Sequence, residues 1–108
     1  MRLKSICLAS ISGALLFSGV LQAEEGDAVR GESLGWSCMG CHAVESARNS
    51  YPSYRVPMLG GQNELYLYQS LVAYRDGQRE HSTMQAQVRS LSDQDLRDLA
   101  AFFAGDND

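Results

Sequence analysis

Apolar residues recur at helical spacing in the middle of the chain, over residues 62–76. Leu67, Leu71 and Tyr74 lie three or four positions apart, which places them on one face of a helix. Gly77 follows, and glycine is common just beyond the end of a helix. The pattern predicts a helix here, with this face directed at a core.

A second helix is predicted near the C-terminus, where Leu96, Leu99 and Phe103 follow at the same spacing. Ser92 precedes them as a favoured N-cap residue. Asp95 lies three positions after Ser92 and completes a pattern like the capping box. The helix should therefore begin directly after Ser92.

A third helix is predicted to begin after Asp27, with Val29 and Leu34 on its face. Gly31 and Gly35 lie inside it, although a glycine weakens a helix interior by about 1 kcal/mol relative to alanine. A residue without a Cβ atom allows another element to approach the backbone closely. We therefore expect a second element to cross this helix at its glycines.

Residues 46–61 contain two prolines and little periodicity, which predicts an irregular loop without a strand. The elements together predict an all-α fold. At 108 residues the chain is one small domain at most, which excludes a multidomain enzyme.

The N-terminal segment, residues 1–23, has the pattern of a secretory signal peptide. Arg2 and Lys4 precede an apolar run, and small Ala23 ends it. An uncleaved membrane anchor is the alternative, but the run is short for a span and is interrupted by serine and glycine. We predict cleavage after Ala23, a mature domain over 24–108 and a periplasmic location.

The mature chain is acidic. Without the two cations of the signal peptide it has seven arginines against thirteen aspartates and glutamates, a net charge of about −6. This balance argues against nucleic acid as a partner and predicts that a partner steered by charge presents a basic patch.

Cys38, Cys41 and His42 form the motif Cys-x-x-Cys-His, the attachment signature of a c-type haem. Each thiol forms a thioether with the haem, and the histidine binds the iron. On a helical turn, positions i, i+3 and i+4 share one face, so all three side chains can contact one flat macrocycle.

Two other kinds of site are alternatives to haem attachment. One is a redox dithiol, which in thioredoxin-like enzymes needs a βαβ setting. The other is a zinc site, which needs four ligands.

With the rest of the chain, this motif resembles the small class I cytochromes c of bacteria, particularly the cytochrome c553 and cytochrome c4 type. The resemblance covers residues 26–104. The chain departs from the family at Ala43, where glycine is usual, and in a loop from His42 to Pro57 that is a few residues longer. The matching segments are CMGCH (38–42), PMLGGQ (57–62), YLYQSLVAYRDGQR (66–79), Met84 and LSDQDLRDLAAFF (91–103).

The resemblance implies a small class I cytochrome c fold, whose N- and C-terminal helices cross around one covalently attached haem c. The crossing is expected where Gly31 or Gly35 meets Phe102 or Phe103. It also implies that the Pro57 carbonyl accepts a hydrogen bond from the ligating histidine.

The sixth ligand of the iron decides what such a protein does, and a methionine sulfur is the expected partner of histidine in an electron carrier. Met39 lies inside the Cys-x-x-Cys-His motif, here called the attachment turn. Met58 adjoins Pro57, which the resemblance places on the same side of the haem as the ligating histidine. The family places its ligand at Met84, in a loop between two helices. His81 in its place, or an open sixth position, are the alternatives.

The resemblance implies a periplasmic one-electron carrier between respiratory redox proteins, not an enzyme. Its donor and acceptor would be redox proteins, expected to be membrane-associated enzymes with a basic docking patch, rather than a small-molecule substrate. Two alternatives stay open: an electron-transfer subunit bound to a larger dehydrogenase or sulfur-oxidising enzyme, and a ligand-binding haem protein with an open sixth site.

Overall fold

The computed structural model describes residues 24–50 and 53–105, and these residues form an all-α fold, as predicted. The only β pairing within them is an isolated antiparallel bridge between Arg48 and Arg55. No helix of the described part has both the length and the apolar character needed to cross a membrane. The predicted signal peptide, residues 1–23, lies outside the described residues. The helices are α1 (Ala28–His42), α2 (Glu64–Arg75), α3 (Ser82–Val88) and α4 (Asp93–Ala104).

The two helix starts predicted from capping residues are confirmed. The Asp27 side chain accepts hydrogen bonds from the first backbone N–H groups of α1. Ser92 and Asp95 form a complete capping box at the start of α4. Helix α2 is shorter than the predicted span of 62–76, because Asn63 caps it and its side chain accepts from the Tyr66 N–H.

The loop predicted around Met84 is wrong, because the structure has the short helix α3 there. His81 caps this helix: its Nδ1 accepts from the Met84 N–H at 3.4 Å, and its own N–H donates to the side chain of Gln85. Histidine is not among the favoured N-cap residues, so the sequence carried little sign of this helix start.

The backbones of α1 and α4 nearly touch at the predicted glycines. A methyl group at Gly31 would lie 2.0 Å from the Asp98 carbonyl oxygen and 2.8 Å from the Cβ of Phe102. At Gly35 it would lie 3.1 Å from the Phe102 ring. The crossing expected between these glycines and Phe102 is therefore confirmed, and it leaves no room for a side chain at Gly31.

A single apolar core fills the angle between α1, α2 and α4. Helix α2 packs against α4, and α3 packs against α2. The half-buried side chains of Leu34, Cys38 and Met39 bring α1 onto the core. The buried core residues are Leu67, Leu99, Ala100, Phe102 and Phe103.

Asp98 is a fully buried carboxylate at the crossing. It accepts from the Asp27 N–H and from Gln94 Nε2, both at 2.8 Å, and it pairs with the Arg30 guanidinium. Burial by itself raises the pKa of Asp98, but the hydrogen bonds from Asp27, Arg30 and Gln94 outweigh it and hold the pKa below its usual value. The ionised carboxylate thus ties the start of α1 to α4.

Gly31→Ala should lower the free energy of unfolding by about 2–3 kcal/mol, because the added methyl group forces the two helix backbones apart. Gly40→Ala is the matched control, since a methyl group there meets no heavy atom within 4 Å among the described residues. The control should be neutral or stabilising by about 0.5–1 kcal/mol. Chemical denaturation of the purified variants measures both, and equal stability would contradict the close crossing.

The Asp98 pairing predicts a loss of stability in acid. The pKa of Asp98 is lower in the folded chain than the unfolded value of about 3.9. Its contribution to the free energy of unfolding is therefore present above about pH 4. This contribution is lost as the pH falls through the pKa of the folded chain. Asp98→Asn should cost about 1–3 kcal/mol at pH 7 and should flatten the decline measured between about pH 5 and pH 2. Asp93→Asn, at an exposed position of the same helix, should leave that decline intact.

Candidate functional site

Helix α1 continues through the Cys-x-x-Cys-His motif, so the motif forms its last turn. Cys38 is half-buried and packs against the core, whereas Cys41 is exposed, and both thiols are free. Burial raises the pKa of the Cys38 thiol. The helical turn places both thiols and the imidazole of His42 on neighbouring positions of one helix end, as the spacing predicts.

His42 is held by the loop that follows α1. Its Nδ1 lies 2.7 Å from the Pro57 carbonyl oxygen, which is the contact that the family resemblance implies. A carbonyl oxygen only accepts hydrogen bonds, so Nδ1 carries the proton and donates. The lone pair of Nε2 is then the one available to a metal ion.

Met84 is the third residue of α3, and its side chain is partly buried. The other two methionines of residues 24–108 lie elsewhere. Met39 packs against the core from α1, and Met58 is exposed beside Pro57. The structure thus gives each of the three methionines a different element and a different environment.

His81 lies partly buried beside two tyrosine rings. The ring centroids of Tyr54 and Tyr74 are 6.0 Å and 6.5 Å from that of His81. Because its Nδ1 accepts from the Met84 N–H, the proton of the neutral ring is on Nε2. Neither ring nitrogen therefore offers a free lone pair in this arrangement.

Two groups of contacts near α3 were not foreseen. The Thr83 hydroxyl donates to Asn49 Oδ1 at 3.3 Å, which joins the loop after α1 to α3. Arg79 donates to the Ser70 hydroxyl and lies over the Tyr74 ring, 4.8 Å from its centroid. Pairs this far apart in sequence leave no periodic signal, so the sequence alone could not reveal them.

The side chains of Tyr66 and Trp36 are both exposed. Tyr66 is 51% exposed, and hydrogen bonds with Arg79 and Ser70 lower its pKa. Trp36 is 79% exposed on α1, so it is not an ordinary core residue.

The residues fit a covalently attached haem. Free thiols spaced three apart on a helix, with an imidazole next to the second thiol, are the donor set of that attachment. Large apolar side chains are also exposed on either side of Pro57, among them Tyr54, Met58 and Leu65. The part of the chain that the structure describes contains no βαβ unit, which is the setting that a thioredoxin-like dithiol site needs. No group of three or more histidine, cysteine, aspartate or glutamate side chains suited to a metal ion occurs within 24–50 and 53–105.

Comparison with known proteins agrees with this chemistry. The chain is 38% identical over 97 residues to cytochrome c4 of Pseudomonas aeruginosa, a match that covers 90% of this chain and 46% of the relative. It is 39% identical over 82 residues to cytochrome c-554(548) of Halomonas halodenitrificans, covering 73% of this chain and 95% of the relative. It is also 26% identical over 74 residues to the cytochrome subunit of sulfide dehydrogenase of Chlorobaculum tepidum, covering 68% of this chain and 64% of the relative.

The fold has a counterpart among solved structures. Reduced recombinant cytochrome c4 from Pseudomonas stutzeri superposes with a TM-score of 0.61 at 27% identity, covering 76% of this chain and 52% of that one. The chain therefore spans about half the length of the cytochromes c4 that it matches. The family model described as Cytochrome c matches residues 24–105. The chain therefore belongs to the cytochrome c family, with its all-α class I fold and a covalently attached haem c that contains iron.

Proposed function

We propose that the chain carries one electron at a time between redox proteins of the periplasm. In this proposal Cys38 and Cys41 would hold the haem, and His42 and Met84 would bind its iron. The haem iron supplies a one-electron redox centre when it is bound. The residues of the chain keep both ligands in place and limit the access of water.

The hydrogen bond between His42 and Pro57 carries the proposal. The Nδ1 atom of His42 lies 2.7 Å from the Pro57 carbonyl oxygen and carries the proton of the ring. This hydrogen bond leaves Nε2 as the ligating nitrogen and sets the orientation of the ring. It also increases the electron density that the imidazole donates. An imidazole prepared in this way, directly after two free thiols, supports permanent attachment of a haem rather than a transient metal site.

The environment of Cys38 and Cys41 supports their role in attachment. Cys38 packs against the same core as Phe102 and Phe103, so a group bonded to its sulfur is anchored to that apolar core. Cys41 is exposed and accessible to the machinery that forms the second thioether.

The structure around α3 supports Met84 over His81 as the sixth ligand. His81 is engaged as the N-cap of α3 through the Met84 N–H, and its ring contacts two tyrosines. Metal binding by His81 would require it to give up this cap. Met84 has no such engagement of its side chain in the described residues, and a thioether ligand stabilises the ferrous iron that a carrier must hold.

Charge and location complete the proposal. A net charge of about −6 on residues 24–108 favours a partner with a basic docking patch, and such encounters weaken as salt rises. The pattern of residues 1–23 supports export to the periplasm. A carrier of this kind makes and breaks no substrate bond, so we propose no enzymatic activity.

A second candidate function is that of a subunit bound permanently to a larger enzyme. Its support is the similarity to a cytochrome subunit of sulfide dehydrogenase. Size-exclusion chromatography of a native periplasmic extract separates the two functions. A free carrier elutes at the size of one chain of about 12 kDa or less, whereas a subunit elutes with its enzyme.

Met84→Ala should abolish the sulfur-to-iron absorption band at the red end of the visible spectrum of the oxidised protein. It should also make the iron high-spin or water-ligated and lower the reduction potential, because the soft sulfur that stabilises ferrous iron is lost. Absorption spectra in both oxidation states and a redox titration measure these effects.

Met58→Ala is the matched control, since Met58 is an exposed methionine beside Pro57. Its spectrum should match that of the unmodified protein. A band that survives in Met84→Ala, or that disappears in Met58→Ala, would contradict the ligand assignment. Binding of carbon monoxide by the reduced unmodified protein at neutral pH would favour an open sixth site instead.

A further inference from the structure

The loop after α1 contains two short stretches that pair with each other, residues 47–49 and 54–56. The Asn49 N–H donates to the Tyr54 carbonyl at 2.9 Å, and the Val56 N–H donates to the Ala47 carbonyl at 2.8 Å. The bridge between Arg48 and Arg55 lies between these two bonds. We call this element the paired stretches.

The paired stretches contact the start of α3 through two residues that precede Met84 in sequence. Asn49 Oδ1 accepts from the Thr83 hydroxyl at 3.3 Å, in a partly buried position. The Tyr54 ring lies 6.0 Å from the ring of His81, the residue that caps α3. The first contact is therefore with Thr83, the residue directly before Met84. The second is with His81, whose side chain accepts from the Met84 N–H.

The same element leads directly into the histidine side of the site. Val56, the last residue of the paired stretches, is followed by Pro57, whose carbonyl accepts from His42 Nδ1. The paired stretches are thus joined covalently to the residue that orients one ligand, and they contact the helix that carries the other.

Helix α3 needs such support because it is only seven residues long. Isolated helices shorter than about 12 residues are marginal in water, so α3 depends on contacts with its surroundings. Its N-terminal half carries Met84, and its cap is a histidine, which is not among the favoured cap residues.

We propose that Asn49 is a positioning residue for Met84, acting through the hydroxyl of Thr83; this rests on the proposed function, in which Met84 binds the iron. The hydrogen bond holds the first turn of α3 against the paired stretches. Without it the first turn separates from them more readily, and the Met84 sulfur yields its place on the iron more easily.

Titration with free imidazole tests this proposal, because imidazole competes with the Met84 sulfur for the iron of the oxidised, haem-loaded protein. Disappearance of the sulfur-to-iron band reports the exchange. Asn49→Ala should bind imidazole about two- to tenfold more tightly than the unmodified protein, the change expected for loss of one neutral hydrogen bond. Ser50→Ala, an exposed neighbour, is the matched control and should bind as the unmodified protein does.

Two further variants separate positioning from a general loss of structure. Asn49→Asp keeps an oxygen that accepts from Thr83, so it should restore the unmodified affinity for imidazole. Thr83→Val removes the hydroxyl while keeping the shape of the side chain, so it should match Asn49→Ala. The double variant Asn49→Ala/Thr83→Val should then bind no more tightly than either single one. If Asn49→Ala does not fold, Thr83→Val carries the test.

An imidazole affinity of Asn49→Ala equal to that of Ser50→Ala would overturn the proposal, as would fully additive effects in the double variant. Failure of the proposed function looks different. In that case the sulfur-to-iron band is absent from the unmodified protein or survives in Met84→Ala. A band that depends on Met84 but not on Asn49 would leave the function standing and reject only the positioning role.

Discussion

The near contact between the backbones of α1 and α4 determines where the Cys-x-x-Cys-His turn lies. At Gly31 the two helices are so close that a methyl group would lie 2.0 Å from the Asp98 carbonyl oxygen. This approach lets the last turn of α1 carry Cys38 onto the core that Phe102 and Phe103 share with α2. The buried Asp98 carboxylate holds the other end of α1 through the Asp27 N–H and Arg30. The attachment turn is therefore fixed by the packing of two helices, one of which contributes no residue to it.

The remaining parts of the site come from less regular segments. Pro57 lies in the long loop after α1, and Met84 lies in a helix of seven residues. Each depends on specific hydrogen bonds rather than on extensive packing. The paired stretches of residues 47–49 and 54–56 connect these two regions, since they lead directly into Pro57 and contact α3 through Asn49. In the proposed carrier, this arrangement would keep His42 and Met84, the proposed ligands, in place as the charge of the iron changes.

The features that depend on residues close together in the chain could be predicted from the sequence. Capping by Asp27 and Ser92 depends on residues three positions apart, and the crossing at Gly31 follows from glycines that a helix would otherwise avoid. The hydrogen bond to Pro57 came from the resemblance to a family rather than from a local rule. Helix α3 was missed because its cap is a histidine. The burial of Asp98 was missed because its partners Asp27 and Arg30 lie about 70 residues away in sequence. The contact of Asn49 with Thr83 was missed for the same reason, since 34 residues separate them.

Covalent attachment of haem at Cys38 and Cys41 is the central claim, and the intact mass of the exported protein tests it most directly. Mass spectrometry under denaturing conditions should give the mass of the processed polypeptide plus one haem, and the double variant Cys38→Ser/Cys41→Ser should give the mass of the altered polypeptide alone. Each single variant should retain one thioether or be degraded, and neither should accumulate with two. An unmodified chain with the mass of the bare polypeptide, when matured in a host that attaches haem to other c-type cytochromes, would contradict the account.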